Sequence, residues 1–339
     1  MAKVKFSGSY TKGVGSGGGS GKSPEKTPAQ EAEERRQHAA DVISKATNKQ
    51  ELMEAMRTLG LQDQTSFINE VKNFESAQRI ASAVADMNAV WGVDGVGDVT
   101  TKGKFSGGVT GYRTVGKPEI HLNPKYYNDL RDLELSTALE SAMGYSYKNE
   151  SSESIVKHEY AHVLQDRLMD KNSPEYQRIE TNFRTAQASL DRSVKKYPEE
   201  WKEAQKYLDR ASSGKTMSTS IKNVLKAHDI MRKVMSPLEF QEYRRALNER
   251  NRSSNERVHY LKNTQMAAIQ RIFGSIGAYR TPTDVASALT GNPRAYARTD
   301  WNEAHAECIA DYMTNGRNAS PVSIAYAQAF AREIGVNLP

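Results

Sequence analysis

The sequence predicts an α+β fold that is mostly helical, and three observations carry this prediction. Most of the 339 residues lie in stretches whose apolar residues recur at helical spacing. Only one short segment, at 107–124, alternates in the manner of paired strands. Several Ser-Pro and Ser-Pro-x-Glu patterns mark helix starts. This length is enough for one large domain or two ordinary ones.

The composition is that of a polar globular protein without a membrane partner. Hydrophobic residues make up 37% and charged residues 26% of the chain, and no run approaches the length of a membrane span. The single cysteine, Cys308, excludes an internal disulfide and fits a reducing compartment. The N-terminus has no apolar core and does not resemble a secretory signal. We therefore expect a cytoplasmic setting, such as a bacterial host.

The charge balance argues against a nucleic-acid partner. The net charge of +6 comes from 47 basic and 41 acidic residues, and no block of five or more basic residues occurs. A nucleic-acid-binding module is therefore the least favoured of the functions considered. Retention of DNA that falls steeply with salt concentration would be evidence for it.

The N-terminal part divides into a tail and a helical region. Residues 1–27 are rich in Gly, Ser and Lys and are predicted to be a flexible tail. The stretch 16–23 imitates a phosphate-binding loop, but Ser16 replaces its first glycine and Pro24 follows where a helix should open, so it is interpreted as a linker. Residues 28–91 have helical patterns, one of which ends at Gly60 and another of which runs over 64–91.

The alternating segment predicts two short strands around a turn. Its expected buried residues are Val109, Tyr112, Val115, Ile120 and Leu122. His121 alternates with the last two and should therefore face the other side, towards solvent rather than towards a metal ion.

Roughly a hundred residues of helix follow from about 173 to 280. Ser173-Pro174 and Tyr197-Pro198-Glu199 mark the first two starts. Ser236-Pro237-Leu238-Glu239 combines a serine cap, a proline at the first helical position and a carboxylate at the third.

The stretch "SIVKHEYAHVLQDRL" contains the chemistry of most interest. His158 and His162 are four residues apart and share one helix face, so both can direct a ring nitrogen at one metal ion. Glu159 is offset by one position, where it can contact a water molecule on that ion. The plain alternative is a helix with two partly buried histidines bonded to neighbours.

A third protein ligand has to come from elsewhere. Asp166 is four residues further on, but three successive i+4 residues cannot easily close around one ion. The better source is "TDWNEAHAECIADYMTNG", in which Glu303, Glu307 and Asp311 share one face of a predicted helix capped by Asp300. A capping box with Asp300 would explain Glu303 alone and leave the other two carboxylates unexplained.

These motifs resemble those of gluzincin metallopeptidases, which combine HExxH with a glutamate on a second helix. The form "NEAHAE" is most similar to the lethal-factor-like branch and to peptidase domains encoded by bacteriophages. The resemblance covers about 158–166 and 296–311, with a looser similarity at "EIHLNP". It implies one Zn²⁺ per chain and assigns these residues: ligands His158, His162 and Glu303, general base Glu159, supporting carboxylate Glu307, and catalytic tyrosine Tyr296.

The resemblance also implies a fold and a function. It predicts a zincin-like core over 92–339, with a short sheet, an active-site helix, a glutamate helix and a large helical insertion at about 173–280. The 140 residues between His162 and Glu303 are more than these families usually place there, so either the second helix is misassigned or the site carries this large insertion. A thermolysin-like register, with Glu307 as ligand and Asp311 as its support, stays open.

The implied activity is zinc-dependent hydrolysis of peptide bonds in a protein or peptide substrate, in a bacterial cytoplasm or a phage virion. The alternative is a phage structural or assembly protein with a vestigial or structural zinc site, whose partners are other phage structural proteins.

Overall fold

The chain folds into a mostly helical α+β structure with one small sheet, which confirms the predicted fold class at this level. The computed structural model describes residues 26–92, 95–105, 110–113, 117–212 and 216–339. Val109, Val115, the 16–23 stretch and nearly all of the predicted tail lie outside these ranges.

The elements are α1 (Pro28–Ser44), α2 (Lys49–Thr58), α3 (Ser66–Glu70), α4 (Phe74–Trp91), β1 (Val99–Thr100), β2 (Gly111–Arg113), β3 (Ile120–Leu122), α5 (Pro124–Tyr127), α6 (Arg131–Ala142), α7 (Ser152–Leu164), α8 (Pro174–Val194), α9 (Pro198–Ser212), α10 (Met217–Val234), α11 (Pro237–Ile276), α12 (Pro282–Thr290), α13 (Trp301–Asn315) and α14 (Pro321–Ile334).

Side-chain caps set most of the helix starts. The predicted starts at Ser173 and Ser236 are confirmed, since the first hydroxyl accepts from Tyr176 N–H and the second completes a capping box with Glu239. The single helix predicted over 64–91 is wrong. The backbone is extended at Val71, and Asn73 caps a new helix by accepting from Glu75 N–H.

The sheet has three strands in the order β1-β3-β2. β3 pairs in parallel with β1 and antiparallel with β2, with Tyr112 opposite His121. Ile120 and Leu122 are buried, as the alternation predicted, whereas Tyr112, which was also expected to be buried, is only half-buried. Strand β1 was not predicted because two residues are too short for a pattern. In the described part of the chain β2 is an edge strand.

The N-terminal and the C-terminal helices contribute side chains to one hydrophobic cluster. It includes Leu52 from α2, Val84 from α4, Val156 from α7, Phe273 from α11 and Phe330 from α14. The helices of 28–91 therefore share a core with the helices that hold the predicted site.

A second hydrophobic cluster lies in the helical segment between these parts. Its buried residues are Leu190, Val194, Ala204, Ala227, Met231, Met235, Tyr243, Ala246 and Leu247. The end of α8, α9, α10 and the start of α11 contribute to it. Helix α11, with 40 residues and a length of about 60 Å, runs from this cluster into the main core. No described helix is both long and apolar enough to cross a membrane.

Candidate metal centre

Helix α7 is buried on nearly every side although several of its residues are charged or polar. It begins at Ser151, whose side chain forms a capping box with Ser154. Val156, Tyr160 and Leu164 are fully buried. Lys157, His158 and Glu159 are also less than a tenth exposed. Buried polar groups are costly unless they have partners, so the partners of these residues matter.

Helix α13 is held in a fixed register against α7. Its N-cap, Asp300, accepts from the backbone N–H groups of Asn302 at 2.8 Å and Glu303 at 3.1 Å. His305 is fully buried, donates from Nε2 to the Ala161 carbonyl at 3.0 Å, and accepts at Nδ1 from the Tyr326 hydroxyl at 2.9 Å. Burial lowers the pKa of His305 to about 3, so this histidine is a neutral structural link between helices.

Three side chains from these two helices converge on one point. Nε2 of His158 lies 3.1 Å from Nε2 of His162 and 3.1 Å from Oε2 of Glu303, and the remaining pair is separated by 3.4 Å. Four ligands at 2.0–2.1 Å in a tetrahedron are separated by about 3.3 Å. The spacing of the three atoms therefore matches three corners of a tetrahedral site, and the group could hold a metal ion.

The electrostatics of the group favour a cation between its members. Burial opposes ionisation of Glu303, but hydrogen bonds with His158 and His162 lower the pKa of its carboxyl well below the usual value. Burial likewise opposes the charged form of His158, but its bonds with Glu303 and Glu307 raise its pKa well above the usual value. A metal cation binds the same nitrogen and oxygen lone pairs that a proton does. A site that attracts a proton this strongly therefore also attracts a metal cation.

Glu307 supports the site from behind. Its Oε1 lies 2.9 Å from Nδ1 of His158, on the side of the ring that faces away from the three converging atoms. A carboxylate in this place fixes the orientation and tautomer of a metal-binding imidazole. The register with Glu303 at the centre and Glu307 behind is therefore the one that the geometry favours.

Asp311 does not join this group. Its carboxylate accepts from the Ser320 N–H and hydroxyl at 2.9 Å and from Asn315 Nδ2 at 2.8 Å. It connects the end of α13 to the start of α14. Asp311 shares the i+4 spacing of Glu303 and Glu307, but its carboxylate stabilises the junction between two helices.

A contact that the sequence did not reveal holds the second histidine. Nε2 of the Gln165 amide lies 3.1 Å from Nδ1 of His162 and 3.2 Å from the Asn302 carbonyl. Gln165 is 2% exposed and follows α7 directly, where no motif marks it. Its spacing of three residues from His162 is the only sequence signal that could have identified it.

Glu159 lies beside the three converging atoms without being one of them. It is buried, and a Cβ atom on Gly111 of β2 would lie only 2.9 Å from its Cγ. Burial raises the pKa of Glu159, an effect that the neighbouring His162 partly offsets. A carboxylate with a raised pKa in this place suits a general base, because it holds a proton more readily than an exposed carboxylate does.

Tyr296 also lies near the group, in the lining of the cleft that leads to it. Its ring centroid lies 6.0 Å from that of His158, and 53% of the residue is exposed. The Tyr296 N–H donates to the Tyr145 carbonyl at 3.0 Å, which fixes the backbone of this segment. Burial and the charge of Glu303 raise the pKa of the phenol, so it stays a hydrogen-bond donor.

An open cleft of about 320 Å³ gives access to these groups. Edge strand β2 forms one wall and helix α11 forms another. The lining residues are Gly111, Tyr112, Arg113, His158, Glu159, His162, Gln165, Lys262, Gln265, Tyr296, Asp300, Asn302 and Glu303.

Two other residues considered as ligands have different partners. Asp166 forms an ion pair with the buried Arg113 and accepts from Gln265 Nε2 at 2.6 Å. His121 is stacked on Tyr112 with ring centroids 4.8 Å apart, and its Nδ1 donates to the Lys102 carbonyl at 2.6 Å. Half-buried by this stacking, His121 is neither fully solvent-facing nor part of the group.

Comparisons of this chain with protein-family models, with curated proteins and with solved structures found no match.

Proposed function

We propose that this protein is a zinc-dependent metallopeptidase of the gluzincin type. One observation carries the proposal: three ligand atoms with tetrahedral spacing lie in an open cleft, beside a buried carboxylate that is not among them. Structural zinc sites use four protein ligands, whereas catalytic sites use three and keep one position open. The three-residue group therefore favours a catalyst over the alternative of a phage structural protein with a structural zinc site.

Each residue has a role in this proposal. His158, His162 and Glu303 would hold zinc, which, when bound, supplies the Lewis acidity that makes water a nucleophile near neutral pH. Glu159 takes the proton of the attacking water and returns it to the leaving amine. The Tyr296 hydroxyl donates to the oxygen on which negative charge develops.

The substrate class follows from the wall that β2 forms. Its backbone borders the cleft at the edge of the sheet, and an extended peptide can add to such an edge through main-chain hydrogen bonds. This supports a polypeptide as the substrate. A bacterial cytoplasm or a phage particle as the place of action rests on the motif resemblance alone.

The test is hydrolysis of an unfolded model protein by the zinc-loaded chain, followed by mass spectrometry of the fragments. Glu159→Gln should retain zinc and abolish cleavage, because an amide cannot accept the proton of water. Glu153→Gln, on the same helix but outside the cleft lining, is the matched control and should cleave like the parent. Cleavage by Glu159→Gln at the parental rate would refute the mechanism.

A further inference from the structure

Helix α6 has apolar residues on two opposite faces. The inner face contributes Leu133 and Thr137, which are buried. The outer face has Leu135, Leu139 and Met143 at i, i+4 and i+8, and each of these three residues is at least 50% exposed. A helix face with large apolar residues at this spacing usually packs against a core. When such a face is exposed, it marks a surface that binds a partner.

The outer face of α6 continues to the cleft of the candidate metal centre. The chain turns after α6 at Gly144, whose φ of 70° lets the Tyr145 N–H donate back to the Glu140 carbonyl at 2.9 Å. This turn brings Tyr145 back beside the last turn of α6. The Tyr145 carbonyl accepts from the Tyr296 N–H at 3.0 Å, and Tyr296 lines the cleft.

These exposed residues form one continuous surface, which we call the α6 ridge. Its members are Leu135, Leu139, Met143, Tyr145 and Tyr296. Among the described residues outside 173–280, no other large hydrophobic residue is as exposed as these five. The exposed apolar surface of this part of the protein is therefore concentrated in a ridge that leads to the proposed reaction centre.

The charges beside the ridge narrow the choice of partner. Asp132 and Glu140 are exposed on α6, whereas its one cation, Arg131, is paired with Asp129. A second copy of the chain bound ridge to ridge would bring like charges together, and an anionic membrane surface would do the same. A polypeptide segment with apolar and basic side chains avoids both costs. The observations therefore favour a polypeptide.

We propose that the α6 ridge binds an apolar and basic segment of the same polypeptide that enters the cleft. From Leu135 to Met143 the ridge follows about 12 Å of helix, the length of about four extended residues. The ridge therefore selects substrates by side chains away from the cleaved bond and contributes affinity rather than chemistry. This inference rests on the proposed function for the identity of its ligand as a substrate.

The experiment measures the binding of fluorescent peptides to the Glu159→Gln chain, which should hold a peptide without cleaving it. One unfolded peptide contains Leu and Lys, and in the second peptide Ser replaces every Leu. Combined Leu135→Ser, Leu139→Ser and Met143→Ser substitutions should weaken binding of the Leu peptide about tenfold or more, because apolar burial is lost. Binding of the Ser peptide should be weaker from the start and should not change.

The matched control alters an exposed face of the same kind outside the cleft lining. Met217, Ile221 and Leu225 of α10 have the same i, i+4 and i+8 spacing and are also at least 50% exposed. Their combined replacement by Ser should leave the affinity for both peptides unchanged. Thermal unfolding and size-exclusion chromatography check the fold and the oligomeric state of each variant.

A kinetic measurement separates affinity from chemistry in the chain that retains Glu159. The three ridge substitutions should raise KM for the Leu peptide about tenfold while kcat stays close to that of the parent. This split is expected because the ridge contacts the bound substrate and the transition state equally.

The inference is wrong if the ridge variant binds the Leu peptide as tightly as Glu159→Gln alone, or if the α10 control weakens binding equally. It is also wrong if the protein is a dimer that the ridge substitutions dissociate, because a second copy would then cover the ridge. Cleavage of the Leu peptide with no effect of the ridge would refute this inference alone. A chain that cleaves nothing, but whose Leu-peptide binding depends on the ridge, would refute the proposed function and leave the ridge as a peptide-binding surface.

Discussion

The helices of the candidate metal centre and the helices of the second hydrophobic cluster bury different kinds of side chain. In α7 and α13 the buried positions include Lys157, His158, Glu159, His305 and Glu307. Among the described residues of 190–247, every buried one is apolar or aromatic. Burial of apolar surface is sufficient reason for the second cluster to fold. Burial of so many polar groups costs free energy, and a functional site is the usual reason for such a cost.

The two regions also differ in how their contacts are specified. Within the second cluster an amphipathic pattern on each helix determines the packing. In the metal centre each polar residue is held by a partner from another element, as His158 is held by Glu307 and Glu159 is confined by Gly111. Substitutions in one region should therefore change stability, and substitutions in the other should change chemistry.

The largest expected effect is on the stability of the second cluster. Leu247 is 3% exposed, so Leu247→Ala should lower the free energy of unfolding of this region by about 2–5 kcal/mol through the cavity that it leaves. Hydrogen exchange should accelerate across 174–247 while Zn²⁺ affinity stays unchanged. Leu225→Ala, at a residue 55% exposed, is the matched control with an expected change of less than about 0.5 kcal/mol. A loss of Zn²⁺ affinity in Leu247→Ala would instead show that α11 couples the two regions.

The next effect is on turnover alone. Tyr296→Phe removes one donor to the developing oxyanion and should reduce turnover by roughly ten- to a thousand-fold. Zinc content and the melting temperature should stay close to those of the parent, because the half-exposed Tyr296 contributes little to the hydrophobic core. A lower melting temperature with unchanged turnover per folded molecule would make Tyr296 a packing residue.

A smaller loss of turnover is expected at Gly111. In Gly111→Ala the new methyl group would lie 2.9 Å from Cγ of Glu159 and would displace this proposed general base. Turnover should fall by up to about a hundredfold, as expected for a misplaced catalytic group. Zinc content should not change, because Glu159 is not among the converging ligand atoms. Gly274→Ala, where a Cβ meets nothing within 4 Å, is the control and should retain parental turnover.

The sequence predicted those features that depend on local pattern. The caps at Ser173, Ser236 and Asp300 are local hydrogen-bond signals, and all of them mark helix starts in the structure. The strand pair at 111–113 and 120–122 was recognised by alternation. The break at Val71 was missed because it depends on a tertiary contact, the bond from Lys72 N–H to Asn128 Oδ1.

The same limit applies to the metal centre. The motif spacing identified His158 and His162, and the family resemblance selected Glu303 from the three carboxylates of α13; the ligand atoms of these three residues converge in the structure. Gln165 and the Arg113–Asp166 pair were not identified, because the contacts to Asn302 and across to Asp166 join residues that are distant in sequence and that no motif marks. Spacing alone also placed Asp311 beside Glu307, although its contacts lie at the next helix junction.

The central claim is that Glu303, rather than Glu307, completes a metal site with His158 and His162. The most direct test is the zinc content of the parent, Glu303→Ala and Glu307→Ala after equilibration with Zn²⁺ and removal of the excess. The parent should hold about one Zn²⁺ per chain and Glu303→Ala none. Glu307→Ala should still hold Zn²⁺, with affinity reduced about 10- to 100-fold by the loss of the group that orients His158. Full retention in Glu303→Ala together with complete loss in Glu307→Ala would contradict the claim and establish the other register.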